Sequence, residues 1–90
     1  MLDTLRVLLA NEIFPQLYTH KFIGNHQEPF LQAVRHLQAH FVHLDITVTS
    51  RLSRHGDYIA YTFTFVANTQ EDVLSLVEET SKLEGLKMVL

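Results

Sequence analysis

The six histidines are the residues of this chain with the most evident chemistry. His36 and His40 are four positions apart, so both can lie on one side of a helix, and His43 follows soon after. Three imidazoles and a water molecule would complete the tetrahedral ligand set of zinc. No carboxylate stands at a matching helical spacing beside the pair, and a solvated helix face accounts for it more simply. We therefore predict no metal site and no cofactor.

Hydroxyl and carboxyl groups give little support for catalysis. Ser50, Ser53 and Ser75 have no recognisable histidine and carboxylate partners in the sequence, although such partners need not be local. The neighbouring acids Glu78 and Glu79 fit a solvated helix face better than a general acid–base pair. We expect a protein that is not an enzyme, with a small enzyme kept as an alternative.

Composition limits the possible classes of protein further. Ninety residues make one domain, and 47% of them are hydrophobic, which argues against disorder. The absence of cysteine excludes disulfides and thiolate metal sites and is compatible with a cytoplasmic location. A net charge of −3 argues against DNA binding, which depends on neutralising phosphates. No apolar run reaches the roughly 20 residues of a membrane span, and the start lacks a signal-peptide pattern.

The stretch 44–67 predicts an antiparallel hairpin around which the other elements assemble. Ile59, Tyr61, Phe63 and Phe65 alternate with small or polar residues, and the segment 53–57 supplies a loop with a late glycine. Segments 17–24 and 86–90 predict two further strands. One helix begins near Pro29, and another begins at a capping box of Thr69 and Asp72 and ends at Gly85.

The first fifteen residues predict an N-terminal arm, and residues 16–90 a single domain. Asp3 or Thr4 can cap a short helix over residues 3–11, which ends before Phe14-Pro15. The arm is either a partner-binding segment or a lid on the core, and the second interpretation is favoured.

The predicted order β-α-β-β-α-β is the ferredoxin-like pattern, an α+β class. It has a four-stranded antiparallel sheet with two helices on one face. The predicted covered face consists of Tyr18, His20, Phe22, Ile46, Val48, Ile59, Tyr61, Phe63, Phe65, Met88 and Leu90. The predicted open face consists of Thr19, Lys21, Ile23, Asp45, Thr47, Thr49, Arg51, Tyr58, Ala60, Thr62, Thr64, Lys87 and Val89. His20 is then a hydrogen-bonded core residue.

Several short motifs together resemble the small bacterial YbeD-like proteins. They are Phe14-Pro15, the first strand ending in Lys21-Phe22-Ile23-Gly24, the loop Ser53-x-x-Gly56-x-Tyr58, and Met88-Val89-Leu90. The resemblance runs from about Phe14 to the end, and it implies an ACT-like fold in a family of unknown function. The family's gene neighbourhood implies a connection with lipoate metabolism. This chain departs from the family by a longer arm and by His20, where the family has an aromatic residue.

ACT-like domains bind small metabolites near the loop after the first strand, which here contains Gly24 and Asn25. An equal alternative is that Gly24 only relieves backbone strain. The candidate residues for binding a ligand or partner are Gly24, Asn25, Arg51, Ser53, Gly56 and Tyr58.

The resemblance implies a non-catalytic regulatory or interaction module. Such a module would sense a small metabolite or contact a protein partner, such as an enzyme of lipoate metabolism. The alternative is an RNA-binding module that uses the open sheet face, where Tyr58 would be the main aromatic residue. The second strand, predicted over residues 43–52, lies at a sheet edge, and we expect a homodimer through it.

Overall fold

A computed structural model describes residues 2–90, so Met1 of the predicted arm lies outside it. The elements in chain order are α1 (Leu2–Leu9), β1 (Gln16–Asn25), α2 (Glu28–His40), a 3-10 turn (Val42–Leu44), β2 (Thr47–Leu52), β3 (Tyr58–Ala67), α3 (Gln70–Thr80) and β4 (Leu86–Val89).

The four strands form one sheet in the order β2-β3-β1-β4, and every neighbouring pair is antiparallel. The two central strands pair over their full length, from Gln16 opposite Ala67 to Asn25 opposite Tyr58. This order confirms the α+β, ferredoxin-like prediction, with β3 central and β2 at an edge.

The core lies between the sheet and helices α2 and α3. Every second residue of the two central strands points to the core, where it meets side chains that recur every three to four residues on the helices. Phe22 and Phe63 from the sheet and Phe30 from α2 are fully buried, and the rings of Phe22 and Phe63 pack edge-on at 5.1 Å. The predicted inner and outer faces of β1 and β3 are confirmed.

Both core helices begin as their sequences predict. Pro29 lies in the first turn of α2, where a missing N–H costs no helical hydrogen bond. At α3, Thr69 Oγ1 accepts from the N–H of Asp72 at 3.3 Å, and Asp72 Oδ2 accepts from the N–H of Thr69 at 3.2 Å. The predicted capping box is therefore present, and it satisfies backbone donors that helix geometry leaves free.

The predicted facing of β4 is wrong. Leu86 lies opposite Gly24 and Met88 opposite Ile23, so Lys87 is an extra residue in a β-bulge. Beyond the bulge the alternation is inverted: Val89 lies opposite Phe22 and packs on the core, and Met88 is 52% exposed on the open side. Leu90, which was also predicted to be covered, is exposed.

Two predicted boundaries also differ from the structure. Strand β2 begins only at Thr47, because the chain forms a 3-10 turn and then adopts a left-handed conformation at Asp45 (φ 52°). Helix α3 ends at Thr80 rather than near Gly85, and turn hydrogen bonds from Lys82 N–H to the carbonyl of Glu79 and from Leu83 N–H to the carbonyl of Thr80 follow it.

The N-terminal helix α1 packs on α3. Leu9 is buried, and Leu2 and Leu5 pack against the core. Arg6 donates to Glu71 at 3.0 Å across the two helices, and both side chains are exposed. This packing is compatible with the interpretation of the arm as a lid on the core. Within residues 2–90, no helix combines the length and apolar character that crossing a membrane requires.

Candidate functional site

The loop of the β2–β3 hairpin is built by hydrogen bonds of Ser53. Its N–H donates to the carbonyl of Tyr58 at 2.9 Å, and its hydroxyl accepts from the N–H of Tyr58 at 3.0 Å. Gly56 donates to the carbonyl of Ser53 at 3.0 Å and has a φ of 77°, a region that a glycine occupies without strain. Ser53 and Gly56 therefore shape the loop.

The loop after β1 is joined to this hairpin. The backbone N–H of His26 donates to the carbonyl of Asp57 at 3.0 Å, and its ring Nδ1–H donates to the carbonyl of Gly56, also at 3.0 Å. Asn25 N–H donates to the carbonyl of Gly85 at 2.9 Å. Three connections of the chain thus meet at one end of the sheet, which we call the hairpin end.

Gly24 is fixed by packing and not by strain. Its φ lies outside the left-handed region, and a Cβ atom there would lie 2.3 Å from the ring of Phe30. The ring of Phe30 therefore occupies the space that a side chain at position 24 would need. Backbone strain, one of the two interpretations of Gly24, does not explain this residue.

An open groove of about 610 Å³ lies at the hairpin end, on the face of the sheet that no helix covers. We call it the hairpin groove. It is lined by Ile23, Arg51, Leu52, Ser53, Arg54, Tyr58 and Ala60. Ile23 and Arg51 both lie opposite Ala60, which explains how three strands contribute to a single surface.

The groove brings together three of the six predicted residues: Arg51, Ser53 and Tyr58. Gly24, Asn25 and Gly56 do not line it. Among the lining residues that the prediction missed, Arg54 could have been found from its place in the loop motif. Leu52 could not have been found, because alternation assigns it to the covered face.

The charge of the groove is positive and unbalanced. Within the part of the chain described, the ion pairs are Arg6–Glu71, Arg35–Glu28 and Lys82–Glu79. Neither Arg51 nor Arg54 takes part in one of them. Both are exposed, so their guanidinium groups are available to an anion without first breaking an internal salt bridge.

The histidines of α2 lie elsewhere. His36 and His40 line a separate groove of about 360 Å³ between α2 and α3, and Gln32 Nε2 lies 3.3 Å from Nε2 of His36. Over residues 2–90, no three histidine or carboxylate side chains are placed together as metal ligands.

The aromatic residues leave the open face nearly free of rings. Tyr61 stacks on Phe22 at 5.7 Å on the covered face, where Phe63 and Phe65 are buried. Tyr58 alone, 43% exposed, lies on the open face of β3. A base-stacking RNA surface of the kind in which two or three rings line a sheet is therefore not formed by β3.

Comparison with known sequences identifies the family. Residues 12–90 match a family described as "Protein of unknown function (DUF493)". The chain belongs to this family. The match excludes the whole of α1 and includes the whole hairpin groove.

A relative supports the same assignment for this DUF493 protein. It is the "UPF0250 protein" of Buchnera aphidicola subsp. Baizongia pistaciae (strain Bp), 31% identical over 77 residues that make up 86% of this chain and 88% of the relative. The prediction of a small conserved bacterial family of unknown function is confirmed.

A solved structure supports the fold. An uncharacterised protein from Thermotoga maritima superposes with a TM-score of 0.70, covering 83% of this chain and 94% of that chain, at 12% identity. At this identity the likeness establishes the ferredoxin-like architecture alone. A shared fold does not identify the function of the DUF493 protein.

Proposed function

We propose that this DUF493 protein is a non-catalytic, cytoplasmic binding module that holds a small organic acid in the hairpin groove. One observation carries the proposal: Arg51 and Arg54, which form no ion pair with a carboxylate within residues 2–90, stand beside an apolar floor. Such a combination suits a molecule with a carboxylate at one end and an aliphatic chain at the other.

The chemistry of the lining supports this class of ligand. Arginine offers paired N–H groups that match the two oxygens of a carboxylate. Ile23, Leu52 and Ala60 provide apolar surface for an aliphatic chain, and the ring of Tyr58 borders them. A volume of about 610 Å³ lies within the usual range for sites of small molecules.

A regulatory role follows from how the groove is connected. A ligand held by Arg51 and Arg54 would stiffen the hairpin, and His26 links that hairpin to the loop that begins α2. Binding would thereby alter the surface offered to a protein partner. The resemblance to a family connected with lipoate metabolism makes octanoate and lipoate the first acids to try and makes an enzyme of that metabolism the first partner to try.

Calorimetric titration with octanoate and lipoate tests the proposal. We expect saturable binding, and we expect the double variant Arg51→Ala, Arg54→Ala to raise the Kd about tenfold or more, because charge-assisted hydrogen bonds are lost. Methyl octanoate, which has neither a charge nor an N–H group, should bind to the wild type as weakly as octanoate binds to the double variant. Arg35→Ala is the matched control, since Arg35 is already paired with Glu28 at 2.8 Å. Equal affinity of the double variant and the wild type would disprove the role of the groove.

We also propose that two copies associate through β2. This edge strand is exposed along most of its length, has no proline and carries Arg51 as its only charge. Asp45, which fell within the predicted second strand, lies in the turn before the strand. A second copy paired there would also wall the hairpin groove.

The hydrogen-bond pattern selects the variant that tests this dimer. Ser53 N–H donates toward β3, so the odd-numbered residues of β2 face β3 and the even-numbered ones present their N–H groups outward. Ser50→Pro removes an outward donor, whereas Ser50→Ala keeps it. We expect light scattering at micromolar concentration to give a dimer mass for the wild type and Ser50→Ala and a monomer mass for Ser50→Pro. A monomer mass for the wild type at all concentrations would exclude the dimer.

A further inference from the structure

A second pocket, of about 410 Å³ and as open to solvent as the hairpin groove, lies beside α1 at the end of β1 opposite to the hairpin end. We call it the lid cavity. Leu5 and Leu8 of α1, Val77 of α3 and Val89 of β4 form its apolar walls. Its polar lining includes His20, a residue 97% hidden from solvent by its surroundings. Each ring nitrogen of a buried imidazole needs a hydrogen-bond partner, because an unpaired buried polar atom is costly.

The hydrogen bonds of Thr80 fix which nitrogen of His20 carries the proton. The Thr80 hydroxyl donates its single proton to the carbonyl of Leu76 at 2.7 Å. Toward His20 the hydroxyl oxygen can therefore only accept, and Nε2–H of His20 donates to it at 3.0 Å. In the neutral ring Nδ1 then holds a lone pair and is an acceptor.

The Nδ1 atom is the ring nitrogen of His20 that Thr80 does not contact. Within residues 2–90 it has no hydrogen-bond partner, although in that same part of the chain every fully buried polar side-chain atom has one. Nδ1 must therefore border accessible space, and the cavity is the space that His20 lines. Burial lowers the pKa of His20 to about 4, so the ring is neutral at pH 7 and offers no cation to a carboxylate.

The backbone of Thr19 adds a second polar feature to the cavity. Leu90 N–H donates to the carbonyl of Lys21 at 2.8 Å, so the odd-numbered residues of β1 face the β4 side. Thr19, two residues before Lys21, therefore lies beyond the end of β4, and it lines the cavity. Its N–H points sideways past the edge of the sheet, where no strand of residues 2–90 pairs with it.

We propose that the lid cavity binds a small neutral alkyl amide, whose N–H donates to Nδ1 of His20 and whose carbonyl accepts from the backbone of Thr19. The alkyl chain lies against Leu5, Leu8 and Val77. An amide supplies one donor and one acceptor, as the cavity requires, and it carries no charge to be buried without a partner. The site is separate from the hairpin groove and differs from it in the charge of its ligand.

Nitrogen-15 NMR of the histidine rings tests the site with hexanamide as the probe. We expect a saturable upfield shift of His20 Nδ1, the atom that gains a hydrogen bond, with Nε2 nearly unchanged. N,N-dimethylhexanamide, which lacks the donor, and hexanoate, which carries a charge, should each bind at least tenfold more weakly, since the buried acceptor then stays unpaired. Absence of a saturable Nδ1 shift, or equal binding of the dimethyl compound, would overturn the proposal.

Two substitutions on α1 form a matched pair for the same titration. Leu8 and Val7 are both mostly exposed, at 66% and 70%, but only Leu8 lines the cavity. Leu8→Trp should fill the opening and raise the Kd of hexanamide about tenfold or more, and Val7→Trp should leave it unchanged. Arg51→Ala with Arg54→Ala should leave it unchanged as well. Equal effects of Leu8→Trp and Val7→Trp would place the binding elsewhere.

Discussion

The two ends of β1 are held in place by different kinds of interaction. At the hairpin end, backbone hydrogen bonds of Asn25 and His26 tie three connections together around an open, positively charged groove. At the other end, apolar side chains of α1 and α3 line a pocket together with His20, and the exposed pair of Arg6 and Glu71 links the two helices. One strand thus runs from a groove lined by two exposed arginines to a pocket lined by a neutral histidine.

This difference shows how a single alternating strand can serve two chemistries. Alternation along β1 decides to which face of the sheet each side chain points. The polarity of each end of the strand depends instead on the elements that pack there. A loop tied by backbone groups leaves arginine side chains in water. At the other end, burial of His20 among its neighbours keeps its ring neutral.

The largest expected effect tests whether both ends depend on the same core. Phe63 is fully buried at the centre of the sheet, and Phe63→Ala should cost about 3–5 kcal/mol of unfolding free energy. Thr62→Ala, on the opposite face of β3, should cost less than about 1 kcal/mol. Chemical denaturation measures both, and amide exchange should show both ends losing protection together. Loss of amide protection at one end alone would mean that the two ends unfold as independent units.

The next effect concerns His20 and the acid stability of the lid end. Its pKa is lowered by burial to about 4 from an ordinary 6.5, so between these pH values the unfolded chain binds a proton that the folded chain does not. The stability that His20 contributes is complete above pH 6.5 and falls as the pH drops toward 4, by up to about 3 kcal/mol.

Denaturation midpoints of wild type and His20→Phe at pH 7.5 and 4.5 measure this contribution. We expect the variant to lose less stability on acidification, because phenylalanine cannot bind the proton. His36→Gln, which changes an exposed histidine of α2, should keep the wild-type dependence. Identical pH dependence in His20→Phe and wild type would contradict the assignment.

A smaller effect should distinguish the two glycines of the hairpin end. Gly24→Ala places a methyl group 2.3 Å from the Phe30 ring and should cost about 1–3 kcal/mol through overpacking. At Gly56 a Cβ meets nothing within 4 Å, but the φ of 77° is unfavourable, so Gly56→Ala should cost about 1 kcal/mol. Thermal unfolding compares the two. A cost at Gly56 larger than at Gly24 would mean that backbone strain outweighs packing here.

The smallest effect concerns the ion pair that links α1 to α3. Arg6 and Glu71 lie 3.0 Å apart with both side chains exposed, so a double-mutant cycle with Arg6→Ala and Glu71→Ala should give a coupling of about 0.2–1 kcal/mol. Added salt should reduce it further. A coupling above about 2 kcal/mol would show that the lid is held by charge and not by Leu9 and its neighbours.

The sequence predicted those features that depend on residues close together in the chain. Phe63 and its neighbours in β3 alternate without interruption, and Thr69 with Asp72 forms a local capping box, so the sheet and the start of α3 followed from adjacent residues. The bulge at Lys87 could not be predicted, because it depends on how β4 pairs with a strand far away in the chain. The local alternation of residues 86–90 gave no sign of it.

The candidate site was predictable only in part for the same reason. Arg51, Ser53 and Tyr58 share one hairpin and could be grouped from the sequence. Ile23 joins them only because β1 lies beside β3, and Gly24 is determined by the ring of Phe30 on another element. The lid cavity depends on α1, α3 and β4 meeting over His20, which no local pattern encodes.

The bulged pairing of β4 with β1 also has a consequence for the order of folding. Leu52 and Ile59 close a short hairpin, whereas Phe22 and Val89 must meet from nearly opposite ends of the chain. Loop-closure entropy makes the second encounter costlier by about 2 kcal/mol. We expect the hairpin to form early and β4 to dock last, so that the hairpin groove takes shape before the lid cavity. Pulse-labelled amide exchange during refolding measures this order, and protection of the Leu90 amide, which donates to the carbonyl of Lys21, before that of Thr62 would reverse it.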